Sequence, residues 1–318
     1  ELQNRYKGVE VVYSRGANLA DEGKIEFNFT DNKNNVRKLQ DLMIKDAEKV
    51  VEGADAIIVA LGESASMSGE GASRAVLELP ETQLDLLRKM KATGKPVIVV
   101  LFTGRPLALQ NAEPYADAIL NVWMGGTDAA GAIVDVLSGA VNPTAKLTMT
   151  FPRVTGQCPI YYNHKNTGRP MAPDAWFTRY VSNYIDVVNE PLYPFGYGLS
   201  YSKYEYGNIT LDKSEINECG AVTASVKVTN VSDVDGEEIV QLYIHDKIRS
   251  ITPTVKELKG YRRVALKAGE SKIVQFTIDS QLLKFYNSEL QFVAEPGEFE
   301  VMIGGSSDSV KKAVFTLK

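Results

Sequence analysis

The sequence predicts two folds in succession: an α/β half with a largely parallel sheet, then an all-β half. Three observations carry that expectation. Up to about residue 155, short apolar runs alternate with stretches whose apolar residues recur at helical spacing, the pattern of strands joined by crossover helices. From about Tyr204 onward, single apolar residues alternate with polar ones, the period of half-buried strands. Between them, residues 152–208 are rich in Pro, Gly, Tyr and Asn and show little periodicity.

Taken in order, Val9 to Tyr13 reads as a first strand and the Asn/Asp/Lys-rich segment 28–38 as a surface loop. That loop holds the glycosylation triplet Asn28-Phe29-Thr30, read as a chance match. Leu39, Leu42, Met43, Ala47, Val50 and Val51 share one helical face in a helix over 36–51, and Gly53 ends it. Ala56 to Leu61 reads as a buried strand. A helix carrying Leu84, Leu87 and Met90 follows from near Pro80 and stops at Gly94. Pro96 to Leu101 is a second apolar strand, and Thr103-Gly104-Arg105-Pro106 opens a short helix with Pro in its first turn. Ala118 to Trp123 is a third strand, and Ala129 to Leu137 a helix stopped by Gly139.

The segment Phe195 to Tyr201 is aromatic and Gly-rich, suited to a buried crossing or domain interface rather than a linker. Beyond it, alternation runs through Val222–Val228, Val240–Ile244, Val274–Ile278 and Phe299–Ile303. Turn-forming residues separate these runs at 230–236, 267–270 and 295–298. Around seven short strands with such turns argue for a β-sandwich of immunoglobulin-like or fibronectin-III-like type.

Composition narrows the function classes. The 318 residues suit about two domains. At 44% hydrophobic and 24% charged, the chain resembles an ordinary globular protein with real cores. A net charge of -5 gives no basic surface for nucleic acid or an anionic membrane, and no apolar run reaches a membrane span. Cys158 and Cys219 read as two unrelated free thiols, although an oxidising compartment would permit their pairing. The chain opens on what looks like the middle of a protein, so it reads as a piece of a longer one, and the missing signal sequence says little about compartment.

The stretch Leu61 to Gln83 is the strongest functional signal. A connection of roughly 18 residues leaves the carboxyl end of a buried strand, where about 2–6 would suffice. That edge of an open α/β sheet is where ligands bind. A Glu in a Gly/Ser loop is ordinarily a solvated surface residue. Glu70 differs in having Gly69 and Gly71 on both sides, which lets the backbone approach a ligand, and Arg74 nearby to orient a carboxylate or contact a sugar. Glu63, at the strand end, is the rival, with a structural role in bonding loop backbone as its better reading.

Other chemistries find little support. Neither a Gly-x-Ser-x-Gly elbow, a dinucleotide fingerprint nor a phosphate loop is present. His164 and His245 fall in different predicted domains away from the cysteines, against a metal site or a triad. Trp123, Trp176 and the tyrosines at 161–162 and 193–206 suit sugar stacking, but packing between domains is the simpler reading.

Ordered motifs run the length of the chain: GESASMSGEGASR with LPETQ, ATGKPVIVVLFTGRPLAL, ADAILNVWMGGTDAAGAIVDVLSG, PIYYNHKNTGRP, LYPFGYGLSYS, VTNVSDVDGEEIVQLYIHD, VKELKGYRRVALKAGE and AEPGEFEVMIGG. On these the chain closely resembles the C-terminal portion of glycoside hydrolase family 3 β-glucosidases of the bacterial periplasmic type. The resemblance implies an α/β/α sandwich over residues 1–203 with a mainly parallel sheet, then a fibronectin-III-like β-sandwich over 204–318. It implies that the parent protein has an N-terminal barrel holding the nucleophilic Asp, and that Glu70 is the acid/base, with Arg74 and Met67 binding substrate. The implied reaction is a retaining double displacement releasing terminal β-D-glucose from glycosides or oligosaccharides. It further implies a periplasmic or secreted location, no cofactor or metal, no nucleic-acid or membrane partner, and near-inactivity of this chain without its barrel. A homodimer is compatible with it. A stand-alone carbohydrate-binding or scaffolding module is the alternative.

Overall fold

The computed structural model describes residues 1–20, 33–172 and 175–318. These form two compact units, one of Glu1–Val141 with Phe151–Cys158, the other of Asn142–Thr150 with Pro159–Lys318.

The first unit is α/β. After a single helical turn, α1 (Leu2–Arg5), come α2 (Lys33–Val51), β1 (Ile57–Gly62), α3 (Glu81–Ala92), β2 (Val97–Phe102), β3 (Ala118–Asn121) and α4 (Ala129–Leu137). The three strands are parallel, in the order β1-β2-β3, with Gly62 opposite Phe102. Helix α3 packs on β1 and α2, burying Leu84, Leu87 and Met90 to 2% exposure or less, the face that their spacing predicts. Val97, Val99, Val100 and Leu101 of β2 are buried whichever way they point, as a central parallel strand requires. By contrast, β1 buries Ile57, Val59 and Leu61 while Ile58 is 46% exposed, so among the described residues this strand is covered on one face.

Three expectations change. Among the described residues no ladder pairs Val9 to Tyr13, which is not a strand, and its four apolar side chains are 45–84% exposed. No helix follows Pro106. Leu107, Ala108 and Leu109 are buried outside any helix or strand, and tertiary partners take the neighbouring amides, Ala108 N donating to Leu77 O and Gln110 N to Arg153 O. Helix α2 starts at Lys33, inside the expected surface loop, and the triplet at 28–30 lies outside the described residues.

The second unit is a β-sandwich. One sheet runs β10 (Ser271–Asp279), β7 (Ala221–Asn230), β4 (Tyr204–Tyr206), with β5 (Thr210–Leu211) also on β7. The other runs β6 (Glu215–Ile216), β14 (Val310–Leu317), β13 (Gly297–Gly304), β8 (Gly236–Asp246), β9 (Glu257–Leu266). A small hairpin joins β11 (Phe285–Tyr286) to β12 (Phe292–Val293). Each of the four predicted alternating runs is a long strand, and their inward residues, from Val222 to Ile303, form one core with Phe315 and Leu317. In the segment 195–201 only Gly196 is buried, whereas Leu199 is 75% and Tyr201 47% exposed. Gly196 has φ +78°, and a Cβ there would lie 2.0 Å from Gln241 Oε1, while Gln241 Nε2 donates to Gly196 O at 3.1 Å.

Asp246, the last residue of β8, is only 8% exposed, and burial pushes its carboxyl up to about 6 against the pull of Arg249, the Ile248 amide and His245, with Glu295 reinforcing the rise. A carboxyl whose folded pKa is raised prefers its protonated form in the fold. Its contribution is therefore present in acid and lost as pH rises through that value. Asp246→Asn is expected to stabilise the second unit against urea at about pH 8 and to gain progressively less toward about pH 4.5, as the native carboxyl becomes neutral too.

Candidate active site

The candidate site is built where β1 and β2 end side by side. Their register sets Gly62 against Phe102, so Glu63 and Thr103 leave the sheet as neighbours. Gly62 has φ +143°, and a Cβ at this position would fall 1.7 Å from Phe102 O, so no other residue fits the turn. Gln83, in the first turn of α3, closes the strand end: its Oε1 accepts from Gly62 N at 2.8 Å and its Nε2 donates to Gly62 O at 2.8 Å and Leu19 O at 2.9 Å.

Glu63 is the electrostatic centre. Its side chain is 1% exposed. Oε1 lies 2.9 Å from Arg74 Nη1 and 3.2 Å from Arg105 Nε. Oε2 accepts from Thr103 Oγ1 at 3.0 Å and Gly104 N at 3.3 Å. Two guanidinium groups and two further donors therefore surround a carboxylate out of water, the condition under which a buried charge is tolerated. Both arginines continue into the loop. Arg74 Nη2 donates to Glu78 O at 2.9 Å, and Arg105 Nη2 to Met67 O at 2.6 Å and Ala72 O at 3.0 Å.

The far part of the loop is fastened as well. Thr155 Oγ1 lies 2.9 Å from Leu77 N and 3.1 Å from Glu78 Oε1, and Leu79 is buried. What stands clear is the tip. Gly69 and Gly71 take φ +135° and +69°, with nothing within 4 Å of a Cβ built on either, and Glu70 between them is exposed. Chemically, this is an accessible carboxyl on a short span whose two ends are fixed.

The sequence-predicted residues thus separate. Glu63 is buried at the strand end and meets mainly side chains, with Gly104 N as a backbone partner, and Glu70 is at the accessible tip. Arg74 is turned to Glu63 and Glu78, with its side chain 18% exposed. Met67 is 4% exposed, beneath the loop. No hydrogen bond or ion pair joins Glu70 to Arg74 among the described residues. Thr103, Gly104, Arg105 and Gln83 were not singled out for the site. The available signal was Thr-Gly-Arg directly after an apolar strand, at the sheet edge where the long loop also begins.

Elsewhere, the imidazoles serve the backbone: His245 Nδ1 donates to Thr254 O at 2.8 Å and His164 Nδ1 to Lys165 O at 3.1 Å. No group of His, Cys, Asp and Glu able to hold a metal occurs among the described residues. Both cysteines are free and exposed. Trp123 packs on Phe151 with ring centroids 5.7 Å apart, and Tyr162 stacks on Phe195 at 4.3 Å, whereas Trp176 is 58% exposed.

This arrangement separates stability from chemistry. Glu63→Ala leaves two guanidinium groups without their buried partner and is expected to cost about 3–5 kcal/mol in urea unfolding of the first unit. Glu70→Ala, at an open surface position, is expected to stay within about 0.5 kcal/mol of the wild type.

Two family models match the chain. The glycosyl hydrolase family 3 C-terminal domain matches residues 4–201, and a fibronectin type III-like domain matches residues 238–307. The chain is 44% identical over 314 residues to a periplasmic beta-glucosidase of Salmonella typhimurium, an alignment covering 98% of this chain and 41% of that protein. A beta-xylosidase of Formosa agariphila is 40% identical over 275 residues, covering 86% of this chain and 37% of that one. The crystal structure of a beta-glucosidase from Listeria innocua in complex with isofagomine superposes with a TM-score of 0.83 at 43% identity, over 87% of this chain and 38% of that chain. The chain thus spans well under half the length of these relatives. With a domain match over most of its length and a relative at 44% identity, the chain belongs to glycosyl hydrolase family 3.

Proposed function

We propose that this chain is the C-terminal part of a retaining β-glucosidase, and that Glu70 is its acid/base. The observation that carries the reading is the placement of Glu70: an exposed carboxyl on a tip held at both ends, at the carboxyl edge of a parallel sheet. The relatives support the substrate class, since solved beta-glucosidases similar to this chain include complexes with glucose and with gluconolactone.

In this reading, the nucleophilic Asp comes from an N-terminal barrel of the parent protein. It attacks the anomeric carbon while Glu70 gives its proton to the leaving oxygen. Glu70 then takes a proton from the water that releases glucose. The two carboxyl groups must stand about 5–5.5 Å apart, so an exposed tip that reaches outward suits the task. Arg74 and Met67 contribute to sugar binding through the loop they hold, since both side chains turn inward. The division into an α/β sandwich over 1–203 and a fibronectin-III-like domain over 204–318 belongs to the same reading, as does a periplasmic or secreted location, which follows the Salmonella relative.

The test is hydrolysis of p-nitrophenyl β-D-glucoside by this chain and by the parent protein that includes the barrel, with p-nitrophenyl β-D-xyloside alongside because a beta-xylosidase is also a relative. Turnover is expected from the longer protein alone and is expected to favour the glucoside. Glu70→Ala should lower it by about 10²–10⁴-fold, the usual contribution of a general acid–base, with partial restoration by azide on activated substrates. Full activity in that variant would overturn the assignment of Glu70. Turnover by the 318-residue chain alone would overturn the division of the site.

A further inference from the structure

We infer that Arg105 is a positioning residue for Glu70, setting where the proton donor stands without touching the substrate; this rests on the reading of Glu70 as the acid/base. One guanidinium nitrogen of Arg105, Nη2, donates both to Met67 O at 2.6 Å and to Ala72 O at 3.0 Å. These carbonyls bracket the tip, so residues 68–71 hang between two anchors on a single planar group. The guanidinium is in ion-pair contact with Glu63, 3.2 Å from its Nε, without a hydrogen bond between them, and Glu63 is held by Thr103, Gly104 and Arg74. The position of Glu70 is therefore referred back to the ends of β1 and β2.

The tip requires such anchors. Gly69 and Gly71 are the residues with the widest backbone freedom, and within the tip the closing bond is Ala72 N to Gly69 O at 3.2 Å. Gly104, next to Arg105, holds the tip from below: a Cβ there would lie 2.0 Å from Ser68 Oγ and 2.9 Å from Ser68 Cβ. Lysine replaces the arginine only in part, because an ammonium lacks the rigid fork that reaches two carbonyls and a carboxylate together. Proton transfer to a leaving oxygen is sensitive to the donor's place, and a displacement near 1 Å costs about 10²-fold.

The experiment uses the parent enzyme containing this chain, with Arg105→Ala, Arg105→Lys, Gly104→Ala and Glu70→Ala. Two substrates are compared by kcat/KM per active site, titrated with an activated 2-deoxy-2-fluoro-β-glucoside. Methyl β-D-glucoside needs an acid to expel its leaving group, and 2,4-dinitrophenyl β-D-glucoside does not. Arg105→Ala and Gly104→Ala are expected to lower the methyl glucoside value by about 10²-fold and to leave the dinitrophenyl value within about threefold, with Arg105→Lys between them and the wild type. Loss of folded enzyme reduces the titrated sites, not this ratio. Equal losses on both substrates in Arg105→Ala and Gly104→Ala, or no loss on either, would overturn the inference while Glu70→Ala remains selective for the methyl glucoside. If Glu70→Ala also hits both substrates alike, the acid/base reading fails, and the inference with it.

Discussion

A carboxylate withdrawn from water must be met by charge and hydrogen bonds, and the first unit is arranged around satisfying that demand at Glu63. Two arginines, a threonine hydroxyl and a backbone amide surround it. Arg74 comes from the loop that leaves β1, and Thr103, Gly104 and Arg105 from the loop that leaves β2, so compensating one charge fixes both loops. Arginine suits this role because its planar fork can hold a carboxylate with one edge and carbonyls with another. The accessible Glu70 is a consequence: it projects only because the residues on either side of its tip cannot move freely.

The sheet register stands upstream of that network. Parallel pairing of β1 with β2 places Gly62 opposite Phe102, and the next residues along, Glu63 and Thr103, meet at 3.0 Å. A one-residue slip would carry Thr103 away and reverse the faces of both strands. Gly62 protects the register from the other side, since its missing Cβ lets the backbone of Phe102 come within contact. Gln83 supplies the donors and acceptor that the strand end would otherwise lack, and it is 2% exposed, a buried amide whose polar atoms are used.

The second unit is built on different terms. Its core is a continuous apolar layer between two sheets, and its buried polar groups serve the fold. Glu238, 3% exposed, lies 3.2 Å from Lys146 Nζ and accepts from Tyr206 Oη at 3.2 Å; burial raises its carboxyl, and Lys146 works against the rise. That pair ties the 142–150 segment to β8, as Gln241 ties in Gly196 and Gly305. The edge strand β9 carries Lys259, Arg262 and Arg263, charges that discourage pairing with another chain.

Local pattern by itself determined the α/β and β-sandwich halves, the helix at 129–137, the four long alternating strands, and a long Gly-rich loop with Glu70 between two glycines. Periodicity and composition report burial and backbone freedom directly, so these were legible. Tertiary structure decided the rest. Val9 to Tyr13 has a strand's composition but no ladder partner among the described residues, and a strand exists only by pairing. Leu107 to Leu109 stay out of a helix after a helix-starting proline because Leu77 and Arg153 claim the adjoining amides. Arg74 faces Glu63, and Thr103, Gly104 and Arg105 join a site some forty residues before them in the chain. Such partners are set by sheet register and by the cost of a bare buried charge, and neither leaves a mark at any single position in the sequence.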